Sequence, residues 1–258
     1  MPPYKMWISF YTIVRKGVVR IFRIWSQTLL PSLVTSILYF TVFGAILGAQ
    51  IGDINGFSYM QFVVPGLVML AVITNAYMDV ATTFFQSKFF MRSIDEILVS
   101  PTPPVVIIGG YVASGVVRGV IVGVLVLLTS LVFSLPHLAH PFVIALFLIL
   151  SSLLFSLAGL INGIYAKNFD GISIVPTFVL TPLVYLGGVF YSATSLGEPW
   201  ATLTHFKPIF YLITGFRYGF LGFADVSIWL CTGILGALIL IFLAINYYLL
   251  RTGLGLKQ

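Results

Sequence analysis

Charge is scarce in this sequence. Only 8% of its 258 residues are charged, roughly a third of the share usual in a soluble domain, so a water-soluble globular fold is excluded. A single cysteine, Cys231, rules out an internal disulfide, and its place in an apolar run says nothing about redox compartment. No polar low-complexity tract is present, which excludes a disordered chain. The phosphate-binding pattern G-x-x-x-x-G-K-[ST] is missing, so the chain cannot bind ATP in that manner by itself. The G-x-S-x-G elbow and the H-E-x-x-H zinc motif are missing too. His137 and His140 share a short loop with Pro136 and Pro141, with no carboxylate or thiol nearby. They read as a solvated loop, not a metal site.

What the sequence has in abundance is apolar surface. Hydrophobic residues make up 59% of it, aromatic residues 16%, and there are 24 glycines; the mean hydropathy is +1.08. Apolar runs recur at residues 29–49, 62–85, 105–133, 142–165, 172–191 and 227–250. Each approaches or exceeds the ~20 residues a membrane-crossing helix needs. The runs are continuous and do not alternate, which excludes a transmembrane β-barrel. The expected fold is an all-α integral membrane protein with six transmembrane helices. It forms one domain over residues 1–258: an amphipathic segment at 1–28, five spans within 29–191, an outer hairpin at 192–225, and the last span and tail at 226–258.

Orientation follows from the basic residues. Lys5, Arg15, Lys16, Arg20 and Arg23 precede the first span, and Lys88, Arg92, Lys167, Arg251 and Lys257 fall on the same side. Lys207 and Arg217 are the only ones on the other. The bias places both termini in the cytoplasm. Clustered Lys and Arg can also mark a nucleic-acid patch, but nothing soluble is attached here; membrane lipids are the expected partner and nucleic acid is not. The first apolar run is too long for a cleaved secretory signal and lacks a small-residue cleavage site.

The N-terminal segment carries Trp7, Phe10, Tyr11, Val14, Val18, Ile21, Phe22 and Trp25 at three- and four-residue steps, with Lys16, Arg20 and Arg23 on the opposite face. This predicts an interfacial helix with aromatic anchors, serving either as a topology anchor or as a contact for a cytoplasmic partner. In the inner loop at 86–104, Phe90, Ile94, Ile97 and Leu98 recur at helical spacing ahead of Pro101, Pro103 and Pro104, predicting a short helix. Beyond span five, the apolar piece at 209–221 is too short to cross and return, so a re-entrant or interfacial hairpin is expected. Pro176 and Pro182 should kink span five. No second copy of that proline pattern occurs in the first half, which counts against an inverted-repeat carrier.

Two charges fall inside the first three spans, Asp79 and Arg118. Charges at membrane depth are costly and normally turned inward and paired. They could contact substrate or a proton, or form a structural pair that fixes helix register; the cost of burial gives the pair more weight. Gly115, Gly119 and Gly123 flank Arg118 at four-residue steps, a spacing that lets helices approach closely.

From span five onward the residues resemble a known family. Pro176-Thr-Phe-Val-Leu-Thr-Pro182, then Leu-Gly-Gly-Val-Phe190, Pro208-Ile-Phe-Tyr211 and Gly215-Phe-Arg217, are similar to the signature of type 2 ATP-binding-cassette transporter permeases. Arg92, Glu96, Leu98 and Ser100-Pro101 resemble that family's coupling region. The likeness spans the chain and is nearest to short bacterial inner-membrane exporter permeases that pair with a separate ATPase subunit. Tyr191-Ser192 stands where many relatives have a proline.

The resemblance implies a homodimeric, ATP-driven export permease with two ATPase subunits docked beneath it. This chain binds no cofactor of its own, and ATP-Mg sits on the partner ATPase. It further implies ATPase coupling through Arg92, Asp95, Glu96 and Leu98. The substrate path is expected at the dimer axis, lined by Asn75, Phe178, Tyr185 and Phe190. The other readings are an ion-coupled carrier or channel using Asp79, and a membrane-embedded lipid-modifying enzyme, for which Asp95-Glu96 are the only adjacent acids.

Overall fold

The apolar runs fold into helices. A computed structural model describes residues 2–54, 56–91, 93–135, 137–190 and 207–255. An N-terminal helix, Pro3–Arg23, precedes six helices long and apolar enough to cross a membrane. These are span one (Trp25–Gly44), span two (Tyr59–Phe89), span three (Pro104–Ser130), span four (Pro141–Tyr165), span five (Phe169–Val189) and span six (Ile228–Thr252). A two-residue antiparallel ladder, Asp53 opposite Ser58 and Ile54 opposite Phe57, turns the chain between spans one and two.

Span two is the centre of the bundle. A reciprocal capping box starts it: the Ser58 hydroxyl accepts from the Gln61 N–H, and the Gln61 side chain accepts from the Ser58 N–H. Its 31 residues extend about 46 Å at 1.5 Å per residue, roughly 16 Å more than a hydrocarbon core. Most of its surface is buried against spans three and four and a later helix, Pro208–Leu221. Spans one and six are mainly exposed, and exposed apolar side chains such as Leu38, Ile46, Trp229 and Leu240 stud them.

The glycine stripe of span three does close the packing. A Cβ at Gly119 would stand 2.5 Å from the Ser152 hydroxyl and 3.1 Å from the Ala76 Cβ, and Gly123 faces Leu148 and Val72 in the same way. There the side chains of spans two and four rest directly on the backbone of span three, which offers no side chain of its own.

Span five is irregular, as its prolines predict. π-helical turns occupy Pro176–Leu180 and Tyr185–Val189, and the Thr181 hydroxyl donates to the Pro176 carbonyl at 2.9 Å. The helix ends at Gly188, whose φ of +91° is a left-handed conformation that a Cβ would strain. Pro208–Leu221 is a helix within the segment expected to form the outer hairpin; its 14 residues span about 21 Å, too little to cross. The part of that segment that precedes it, with Tyr191 and Ser192, lies outside the described residues, so the expected hairpin stays an expectation.

The N-terminal helix corrects one expectation. Its apolar residues do not share a single membrane-facing stripe, and its basic face is not wholly solvated. Phe10 and Ile13 press on Gly109 and Gly110 of span three, and Gly17 lies against Ser114. Trp7, Tyr11, Phe22 and Trp25 point away from the protein. At 100° per residue the helix therefore has three sectors: protein-facing, aromatic and exposed, and basic.

Candidate functional site

Asp79 is completely buried in span two and holds two guanidinium groups at once. Arg20 Nη2, from the N-terminal helix, donates to its Oδ1 at 2.6 Å, and Arg118 Nη1, from span three, donates to the same oxygen at 3.3 Å. The Ser114 hydroxyl donates to Oδ2 at 3.3 Å. The sequence-expected pair of Asp79 and Arg118 is thus real but incomplete. Arg20 was missed because its helix reads as a surface helix. The available signal was Gly17, one turn earlier, which marks a close approach to another helix.

Arg118 carries the cluster toward the middle of the bundle. Its Nη2 donates to the Asn75 side-chain oxygen at 3.1 Å and to the Thr28 carbonyl at 3.2 Å. The Asn75 amide nitrogen then donates to the Ser32 hydroxyl at 2.9 Å. Asn75 and Ser32 line a recess of about 240 Å³ between spans one, two and five, together with Thr35, Thr74, Thr181 and Tyr185. Hydroxyls and amides are unusual company in so apolar a chain.

Of the expected path residues, the fold brings Asn75 and Tyr185 together at this recess. The Tyr185 hydroxyl lies 2.6 Å from that of Tyr39 on span one. Phe190 does not line the recess but packs beside it, stacked on Phe43 at 4.3 Å and tilted against Tyr185 at 5.5 Å. Phe178 is not part of the recess within one chain; it stands on the outside of span five, 73% exposed.

The expected inner-loop helix is present at Ser93–Val99. Ile94 is buried in the core, while Asp95, Glu96 and Leu98 are exposed. Arg92 lies outside the described residues. The Lys16 ammonium donates to the Ser93 hydroxyl at 3.3 Å, so the N-terminal helix and the inner loop sit on one face of the bundle.

Comparisons of the sequence with known proteins show its family. The model of the ABC-2 type transporter family matches residues 8–221. The chain belongs to the ABC-2 type transporter family. This ABC-2 permease is 54% identical over 253 residues to the inner membrane transport permease YadH of Escherichia coli K12, covering 98% of each chain. YadH of Shigella flexneri matches to the same extent. Nodulation protein J of Rhizobium leguminosarum bv. viciae is 22% identical over 225 residues, covering 87% of this chain and 86% of its own. The protein is a multi-pass inner-membrane permease subunit of an ABC transporter.

Two further cations of this ABC-2 permease serve its architecture. Arg217, buried in Pro208–Leu221, donates to the Gly188 and Val189 carbonyls that span five leaves open at its end. Its guanidinium carbon lies 3.8 Å from the ring centroid of Phe62 on span two. Lys88, counted in the sequence only for topology, is buried at the end of span two. It donates to the Ile164 carbonyl at 2.9 Å and to the Gly255 carbonyl.

The histidine loop of the permease packs against its neighbours. His140 stacks on Tyr218 at 4.9 Å, and His137 lies 5.9 Å from Phe57. Backbone bonds from Ala139 to the Phe220 carbonyl and from His140 to the Gly219 carbonyl dock the loop on Pro208–Leu221.

Proposed function

We propose that this ABC-2 permease is the body of an exporter that acts as a homodimer on two ATPase subunits, with both termini and the helix Ser93–Val99 in the cytoplasm. The observation that carries this reading is the recess between spans one, two and five. Hydroxyl and amide groups line part of it, it is only about 240 Å³, and it lies beside the exposed faces of spans one and five. Half a route of this kind becomes a route when a two-fold axis brings a second copy against it. Phe178, exposed on span five, then faces its symmetry mate, and Asn75, Tyr185 and Phe190 stand along the path.

ATP-Mg belongs to the partner subunits in this scheme. Their closure on ATP pushes the inner helix through Asp95, Glu96 and Leu98, with Arg92 beside them. That push re-aims the two permease halves against each other. Export as the direction rests on the resemblance of the span-five and inner-loop motifs. A proton-coupled carrier gains no support from Asp79, whose carboxylate is engaged by two arginines and a serine.

Cysteine crosslinking in membranes tests the dimer. In a Cys231→Ser background, Phe178→Cys should give a crosslinked dimer, and Trp229→Cys, exposed on span six, should not. A chain that stays monomeric with active transport would overturn the proposal.

A further inference from the structure

The basic sector of the N-terminal helix is largely exposed: Arg15, Lys16 and Arg23 are open and Arg20 is half-buried. It faces the end of span two across a cavity of about 430 Å³, within the range of ligand pockets. Arg15, Lys16, Arg20 and Arg23 line one wall, and Thr83, Gln86, Ser87 and Met91 line the other. At 100° per residue the four cations fall within one sector of the helix, and Arg15 to Arg23 covers about 12 Å along it. No carboxylate lines this cavity. The nearest acids are engaged or turned elsewhere. Asp79 is held by Arg20 and Arg118, and Glu96 borders the adjoining cavity with Lys16. Among the described residues Arg15 and Arg23 have no ion-pair partner.

The exposed lining of the cavity is mainly apolar, with the cationic groups of Arg15, Lys16 and Arg23 free of Asp79 and hydroxyl and amide side chains among it; such a site suits an anion that carries both a phosphate and apolar surface. The adjoining sector of the helix supplies the second half of the recognition. Trp7, Tyr11 and Phe22 are exposed there, with Trp25 exposed just beyond the helix end, the arrangement of a helix seated at a membrane interface. Val19, among the cations and partly exposed, and Met91 on the facing wall add apolar surface to the cavity. A ligand with a phosphate head and a hydrocarbon body satisfies both.

We infer that this cavity holds the phosphate headgroup of an anionic membrane lipid, clamped between the N-terminal helix and span two. Arg15 and Arg23 grip the phosphate, Lys16 and Gln86 complete the donor set, and the acyl chains run past the aromatic sector. The site needs neither the ATPase nor a second copy, so it stands apart from the export reading.

The test uses the full chain in nanodiscs of phosphatidylcholine doped with phosphatidylglycerol, with retained lipid counted by native mass spectrometry. Wild type should keep phosphatidylglycerol selectively. Arg15→Gln/Arg23→Gln should lower its affinity by about tenfold or more, the scale of losing charge-assisted bonds to phosphate. Arg251→Gln removes an exposed cation outside the cavity and should retain lipid as wild type does. Arg15→Lys keeps both charge and fold, and should still weaken retention several-fold by losing the planar fork. Retention unchanged in the double variant, or lost equally in Arg251→Gln, would overturn the site. Inorganic phosphate that saturates the cavity as tightly as the lipid would overturn the lipid as its source.

Discussion

Arg20 and Asp79 lie 59 residues apart in the chain and meet at 2.6 Å, the shortest contact in a cluster that also takes in Arg118. One carboxylate therefore serves as the shared counterion of two cations, and its loss is the most damaging change available at this site. Asp79→Leu strands both guanidinium groups and should cost roughly 3–5 kcal/mol. Arg118→Leu leaves Asp79 still paired with Arg20 and should cost less than half as much. Thermal unfolding of the purified variants checks the order. Equal losses would show that Arg20 does not compensate.

Arg217 supplies a second prediction. Arg217→Ala removes the donor that closes the end of span five, and leaving buried carbonyls unpaired should cost about 1–3 kcal/mol each. Arg217→Lys should restore little, because a point charge cannot both stack on Phe62 and reach two carbonyls. Tryptophan-fluorescence melts of the two variants separate the effects.

The glycine stripe gives a rescue experiment. Gly119→Ala sets a methyl 2.5 Å from the Ser152 hydroxyl and should destabilise by about 1–3 kcal/mol. Adding Ser152→Gly should recover much of that loss. No recovery would mean that the crowding falls on Ala76 instead.

Glu96 and Asp95 test the inner helix. Both are exposed, so Asp95→Ala/Glu96→Ala should change stability by no more than about 0.5 kcal/mol. Substrate-stimulated ATP hydrolysis in the reconstituted transporter should nevertheless fall, together with capture of the ATPase on immobilised permease. Wild-type behaviour in both assays would remove this helix as the docking element.

The bundle was legible because hydropathy alone decides which segments can lie in lipid. Asp79 and Arg118 were legible for a related reason: a charge inside a span must find a partner, and few were available. Gly115, Gly119 and Gly123 announced close packing through their spacing. Arg20, Lys88 and Arg217 were harder to read. Each sits in or beside a segment where a cation is cheap, and only tertiary packing carries it under cover. Phe178 shows the converse limit. Periodicity along span five cannot say which face turns to a recess and which turns outward, because the π-helical turns shift the register midway.

The charge cluster also has an order in time. Ribosomes deliver Arg20 first, then Asp79, then Arg118, so the carboxylate in span two reaches the bilayer with one counterion already made and the other still to come. An acidic residue entering lipid alone would resist insertion. Here the N-terminal helix can escort it, and span three arrives later with a second cation for the same carboxylate. Biogenesis and final architecture thus share one salt link, and a chain lacking Arg20 should falter at the translocon before its folded stability is ever measured.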